Sequence, residues 1–121
     1  MTERGDKPNF IKMLDKLGYP TGSALHYNLQ KKLGDYMKVL YEEPRRFYEA
    51  FISITNSEGV LHAIFSLLFE YLEEERGLRV DVNDFINALK SNDLHHIKLI
   101  MKSVEQASAD ILSESSNLNS H

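Results

Sequence analysis

The stretch SEGVLHAIFSLLFEYLEEERG, residues 57–77, decides the fold. Val60, Leu61, Ala63, Ile64, Phe65, Leu67, Leu68, Phe69, Tyr71 and Leu72 crowd it, interrupted only by His62, Ser66 and Glu70. Apolar residues at i, i+3, i+4 and i+7 fit an α-helix, and here they cover most of its circumference rather than one stripe. A helix apolar nearly all round is one that other elements pack around, so this segment reads as the centre of the core. Its ends are marked as well. Asn56 or Ser57 can accept a bond from the orphan amides of the first turn, and Gly77 suits the left-handed residue that commonly closes a helix.

Towards the N-terminus, Glu43-Pro44 restarts the chain before a helix with Phe47, Phe51 and Ile54 on one face and Tyr48 and Ile52 beside them. A shorter helix over 35–41 carries Tyr36, Met37, Val39 and Leu40. Leu25, Leu29 and Leu33, with Ala24 alongside, mark another, capped by Thr21 or Ser23 and stopped by Gly34. Tyr19-Pro20 forces an extended step, because the residue before proline avoids the helical region. Phe10, Ile11, Leu14 and Leu17 follow Pro8, whose missing amide is harmless in a first turn, and Gly18 ends that helix. Residues 1–6 read as frayed.

Towards the C-terminus, Leu78-Arg79-Val80 pins a connection, and Asp81 caps a helix bearing Phe85, Ile86 and Leu89. Ser91 or Asn92 then caps the last helix, with Asp93 near its positive end. Leu94, Ile97, Met101, Val104, Ser108 and Ile111 recur there at spacings of 3, 4, 3, 4 and 3. From Ser113 the chain is polar and reads as a disordered tail over 114–121. No sustained apolar–polar alternation bounded by hairpin turns occurs, so no sheet is predicted. The expectation is an all-α, compact bundle of six to seven helices around the 57–76 helix, one domain over residues 1–113.

At 121 residues the chain can bury a core without metal or disulfide staples. It has no cysteine, which removes disulfides, thiolate nucleophiles and Cys-based zinc sites. The first ten residues lack the apolar run of a signal peptide, and the longest apolar stretch is too short for a membrane span. A cytoplasmic protein is the expectation. Net charge is −4, unevenly placed: residues 1–46 hold nine Lys and Arg against six Asp and Glu, the remainder five against twelve. Such a split can seat self-association or a charged partner.

Few residues argue for chemistry. The histidines are His26, His62, His95, His96 and His121; the adjacent pair diverges by roughly 100° around a helix and cannot share a metal without a second element. Neither a metal nor a cofactor is predicted. His62, Ser66 and Glu70 form a polar stripe at i, i+4 and i+8, which reads as an exposed edge or, less simply, as the lining of a ligand pocket. Glu73, Glu74 and Glu75 oppose the dipole at the same helix's end, a mild cost; the run reads first as a solvated helix end and otherwise as a contact for a basic partner. Lys31, Lys32, Lys38, Arg45 and Arg46, interleaved with Tyr27, Tyr36 and Tyr41, make the best argument for nucleic acid, and residues 21–41 have the outline of a helix-turn-helix. Against that stands an acidic chain of pI about 5.7. No phosphate-cradling glycine loop, nucleophile elbow or dinucleotide fingerprint is present.

Leu17-Gly18, the run Ala24-Leu25-His26-Tyr27-Asn28-Leu29, Glu43-Pro44 with Phe47, and Gly59 ahead of an apolar helix resemble a small archaeal helical family. That family is the domain of unknown function described as a Nitrosopumilus-type output domain, found alone or attached to signalling proteins. The similarity covers about residues 10–75. The chain departs from it at Asn56-Ser57-Glu58, where a Phe-Gly pair would stand, and at His62, where the family pattern has an acidic residue. The resemblance implies a helical interaction module and transfers no site.

Two functions follow. The first is a non-enzymatic regulatory or protein-interaction module, a homodimer whose interface lies at the last helix through Leu94, Ile97, Ile100, Met101 and Val104. Leu99, Ile100 and Leu112 lie off the main seam, so that helix is apolar on more than one face and one domain core covers only one of them. The alternative is a DNA-binding regulator using residues 21–46.

Overall fold

The computed structural model describes residues 8–119, including the side chains of 8–113. Among them are seven α-helices and no strand: α1 (Asn9–Met13), α2 (Thr21–Leu33), α3 (Tyr36–Glu42), α4 (Pro44–Thr55), α5 (Glu58–Arg76), α6 (Val82–Lys90) and α7 (Leu94–Asn119). A 3-10 turn, Leu14–Leu17, continues α1. The chain is the all-α bundle expected of it. The frayed segment expected over 1–6 lies outside the described residues.

Capping residues explain most boundaries. Asp35 accepts from the Lys38 amide to open α3, and Ser57 from the Val60 amide to open α5. Asp81 accepts from the amides of Asn83 and Asp84 to open α6. Gly77, at φ 71°, closes α5 in the left-handed region. Three boundaries differ from expectation. Thr21 lies inside α2 instead of capping it. The cap of α7 is Asp93, which accepts from the His96 amide at 3.1 Å, whereas Asn92 takes the left-handed conformation at φ 58°. The third concerns the tail, whose backbone stays helical to Asn119. Glu is a good helix former and Ser and Asn modest ones, no Gly or Pro intervenes, and extending a helix already nucleated costs little per residue.

The core is one cluster built around the ring of Phe65 on α5. Phe10 of α1, Phe51 of α4 and Phe85 of α6 lie 6.0, 5.7 and 4.9 Å from it between centroids, and Phe69 lies 5.6 Å away. Leu61, Leu68 and Leu72 are buried on the same side of α5. Each such side chain is worth about 1.5–3 kcal/mol of burial, so this stripe holds α5 against α4, α6 and α7. The opposite face of α5 is not covered. Val60 and Leu67 are 40% and 58% exposed, so the all-round apolar pattern serves the core on one side only.

Two close fits fix the remaining elements. Gly22 seats α2 on the 3-10 turn, where an added Cβ would stand 2.2 Å from the Leu14 carbonyl oxygen. Ile97, Met101 and Val104 of α7 are fully buried. Their seam packs into this chain's own core, which corrects its reading as an interface between chains. Ser108 shares that seam, buried and with no hydrogen-bond partner for its hydroxyl among the described residues.

Candidate functional site

The stripe His62, Ser66 and Glu70 does not form one line. Steps of four residues drift about 40° each around an α-helix, so Glu70 stands about 80° from His62. His62 and Ser66, both half-buried, share a hydrogen bond of 3.3 Å. Glu70 is exposed and faces a different hollow, beside Lys16, Leu17, Leu67, Tyr71 and Glu74.

Near His62 lies a polar knot that spacing alone does not reveal. The Tyr48 hydroxyl of α4 donates to the carboxylate of Glu58 in the first turn of α5, and Lys90 at the end of α6 lies 3.3 Å from the same carboxylate. The hydrogen bond from Tyr48, then that from Lys90, lowers the pKa of Glu58, and Tyr48 is raised chiefly by the same bond. Three helices meet there at a surface ion pair, which is worth little in solvent.

Most other polar side chains with long-range partners hold the bundle together. The Glu105 carboxylate of α7 accepts from the amides of Asn9 and Phe10, at 3.0 and 2.7 Å, at the start of α1. Asn92, between α6 and α7, accepts from the Arg45 amide at 3.0 Å at the start of α4. His96 Nε2 donates to Asp84 at 2.6 Å, joining α7 to α6, and this bond raises the His96 pKa above its ordinary value. His26 Nδ1 meets the hydroxyl of buried Tyr36 at 2.7 Å, and burial pushes the Tyr36 hydroxyl pKa up. Among the described residues no group of three or more His, Asp or Glu is placed to hold a metal ion.

The basic residues of 21–46 are dispersed. Arg45 is paired with Glu49 at 3.2 Å and Arg46 with Glu43 at 3.3 Å, within and just before the first turns of α4. Lys31 and Lys32 border a hollow of about 440 Å³ with Asn28, Ser53 and Ile54, near the other end of α4. Some eight residues separate the two groups along that helix, about 12 Å at 1.5 Å each. Lys38 stands on α3, whose Tyr36, Met37, Val39 and Leu40 are buried. A recognition helix needs those positions outward, and α3 spends them on the core.

The outer face of α7 is the more continuous surface. Leu99 is 54% exposed, Leu94 36%, and Ile100 half-buried. Leu99 and Ile100 border a hollow of about 250 Å³ with Leu78 and Val80 of the α5–α6 connection. A second hollow of about 450 Å³ shares Leu78 and Ser103 with it and continues towards Arg76, Lys102 and Asp110. The register explains why this face could be anticipated only in part: Ile100 stands about 100° around the helix from buried Met101 and is itself partly packed against the core, so spacing alone does not assign its side. No single helix among the described residues is long and apolar enough to cross a membrane. Compared with known families, with curated proteins and with solved structures, the chain matches none. The likeness to the output domain family therefore rests on the residues quoted for it alone.

Proposed function

We propose that the chain is a non-enzymatic, regulatory protein-interaction module that acts as a homodimer joined at the outer face of α7. The observation that carries this reading is Leu99, 54% exposed beside a hollow whose apolar side is formed with Ile100, Leu78 and Val80 and whose border holds Arg79, Asp81, Asp84 and Ser103. A large apolar side chain at the lip of such a hollow favours a reciprocal contact, because twofold symmetry lets each copy's Leu99 meet the other's hollow. The engagement of Glu105, Asn92, His96 and Tyr48 in holding helices together supports a structural rather than catalytic use of the polar side chains. Light scattering coupled to size exclusion tests the dimer. Wild type is expected at twice the chain mass and Ile100→Glu at the chain mass, with helicity retained. A wild type that stays monomeric at high micromolar concentration overturns the proposal.

The DNA-binding reading through residues 21–46 keeps Lys31 and Lys32 as neighbouring, outward cations, while Arg45 and Arg46, also exposed, are engaged by Glu49 and Glu43. A steep salt dependence of affinity for duplex DNA, lost on Lys31→Glu with Lys32→Glu, would restore it.

A further inference from the structure

The uncovered face of α5 presents a second surface. Val60, Ala63, Ile64 and Leu67 follow one another at helical spacing, all exposed or half-buried, and Tyr71 continues the row. At Leu67 the row opens into a hollow of about 250 Å³ between α5 and the 3-10 turn, with Leu17, Leu68 and Tyr71 as its apolar lining. Glu70, Glu74 and Lys16 stand on the border of that hollow. From Val60 to Glu74 the row runs about 21 Å at 1.5 Å per residue, enough to support some four turns of an apposed helix.

Charge tells which occupant fits. Glu70 and Glu74 are like charges one turn apart, and with Glu75 they lie near the negative end of the helix dipole. Among the described residues none of the three has a cation within salt-bridge distance, while Glu73 is held by Arg79 at 3.0 Å. A carboxylate row that is unfavourable for this chain alone becomes favourable against Lys or Arg. The chain's own cation at this hollow, Lys16, lies 5.2 Å over the Tyr71 ring and within salt-bridge distance of none of the three carboxylates, so one positive charge faces three unpaired negative ones. A second copy laid antiparallel along α5 would bring its first turn, where Glu58 is already bound by Tyr48 and Lys90. Residues 1–7 and 114–121 contribute only Met1 and Leu118 as large apolar side chains, too few to fill the row.

We infer that this face docks a basic amphipathic helix of another protein, its apolar side chains along Val60 to Tyr71 and its Lys/Arg-rich end over Glu70, Glu74 and Glu75. This goes beyond the α7 dimer and concerns a different surface, so Ile100→Glu leaves it standing.

The probe is a fluorescent leucine–lysine amphipathic helix, compared with its leucine–glutamate counterpart by anisotropy. The lysine peptide binds, more weakly as salt rises, and the glutamate peptide does not. Leu67→Ser and, separately, Glu70→Lys with Glu74→Lys each weaken binding by about tenfold or more, as expected for a central anchor and its complementary charge. Leu67 is 58% exposed, so its replacement leaves the fold intact; Val60→Ser probes the same row independently. Equal binding of both peptides, or binding indifferent to Leu67→Ser and Val60→Ser, overturns the inference. So does a dimer that Leu67→Ser dissociates and Ile100→Glu does not, because a second copy would then be the occupant.

Discussion

Helices α3, α5, α6 and α7 begin on caps drawn from their own flanking residues, Asp35, Ser57, Asp81 and Asp93. Helices α1 and α4 begin on acceptors brought from far along the chain: Glu105, 95 and 96 residues away, and Asn92, 47 residues away. Both helices start at proline, Pro8 and Pro44, with no side-chain cap of their own. Proline removes one orphan amide but leaves the next ones unsatisfied. Where the local residue offers no acceptor, the fold supplies one, and the helix start becomes a joint. A local cap holds one helix; a distant cap holds two elements together.

The largest effect that would expose this difference is at Asn92. Asn92→Ala loses the cap of α4, about 1 kcal/mol, and forces a Cβ of ordinary preference into the left-handed region, a further 1–2 kcal/mol or so. Asn92→Gly keeps the backbone and loses only the cap, so about half the loss remains. Urea denaturation of both variants measures the two parts. An Asn92→Gly protein as stable as wild type would show that the distant cap contributes nothing.

Next comes Glu105→Ala, expected to cost about 1–3 kcal/mol, because two amides lose a charged acceptor in a partly buried site. Its signature is breadth. Amide exchange should rise in α1 and in the facing part of α7 together; loss confined to Asn9 and Phe10 would reduce this cap to the local kind. Ser57→Ala is the control, about 1 kcal/mol, with faster exchange at Val60 and its neighbours alone.

The smallest effect belongs to His96, which joins both kinds: its amide donates to the local cap Asp93 while its ring reaches Asp84 of α6. The hydrogen bond to Asp84 raises the folded-state pKa above 6.5, with the charge of Asp84 and then Asp93 adding to it. A raised pKa means the stabilisation is complete below 6.5 and is lost as pH rises through the folded value. Wild type should therefore lose more stability across that window than Asp84→Asn does, by a small margin because the pair is exposed. Parallel pH profiles for the two proteins would sever this tie from the fold.

The same division explains what could be read in advance. Ser57 and Asp81 are legible because a cap lies within three residues of the amide it serves. Glu105 and Asn92 are not, since nothing in VEQ or SND indicates a partner 47 or more residues away. Ser91 or Asn92 reads as the cap of the helix beside it, the local task their chemistry suits, while Asp93 performs that task. Periodicity found the buried seam of α7 but could not say whose core it enters, and Ile97, Met101 and Val104 were assigned to an interface. It also could not separate Leu67 from Leu68, neighbours in sequence with 58% and 1% exposure. Which side of an apolar helix is covered is decided by the other helices. The candidate surfaces, on α5 and α7, are what that covering leaves over.

The bond from Glu105 to the start of α1 also bears on when the fold can close. On a ribosome adding about 5–20 residues per second, the amides of Asn9 and Phe10 wait about 5–20 s for their acceptor to be made. A five-residue helix cannot hold itself through that interval, since helices shorter than about 12 residues are marginal alone. The start of α1 therefore lacks its acceptor until the first half of α7 has been made, although Phe65, on which Phe10 stacks, enters the chain 40 residues earlier.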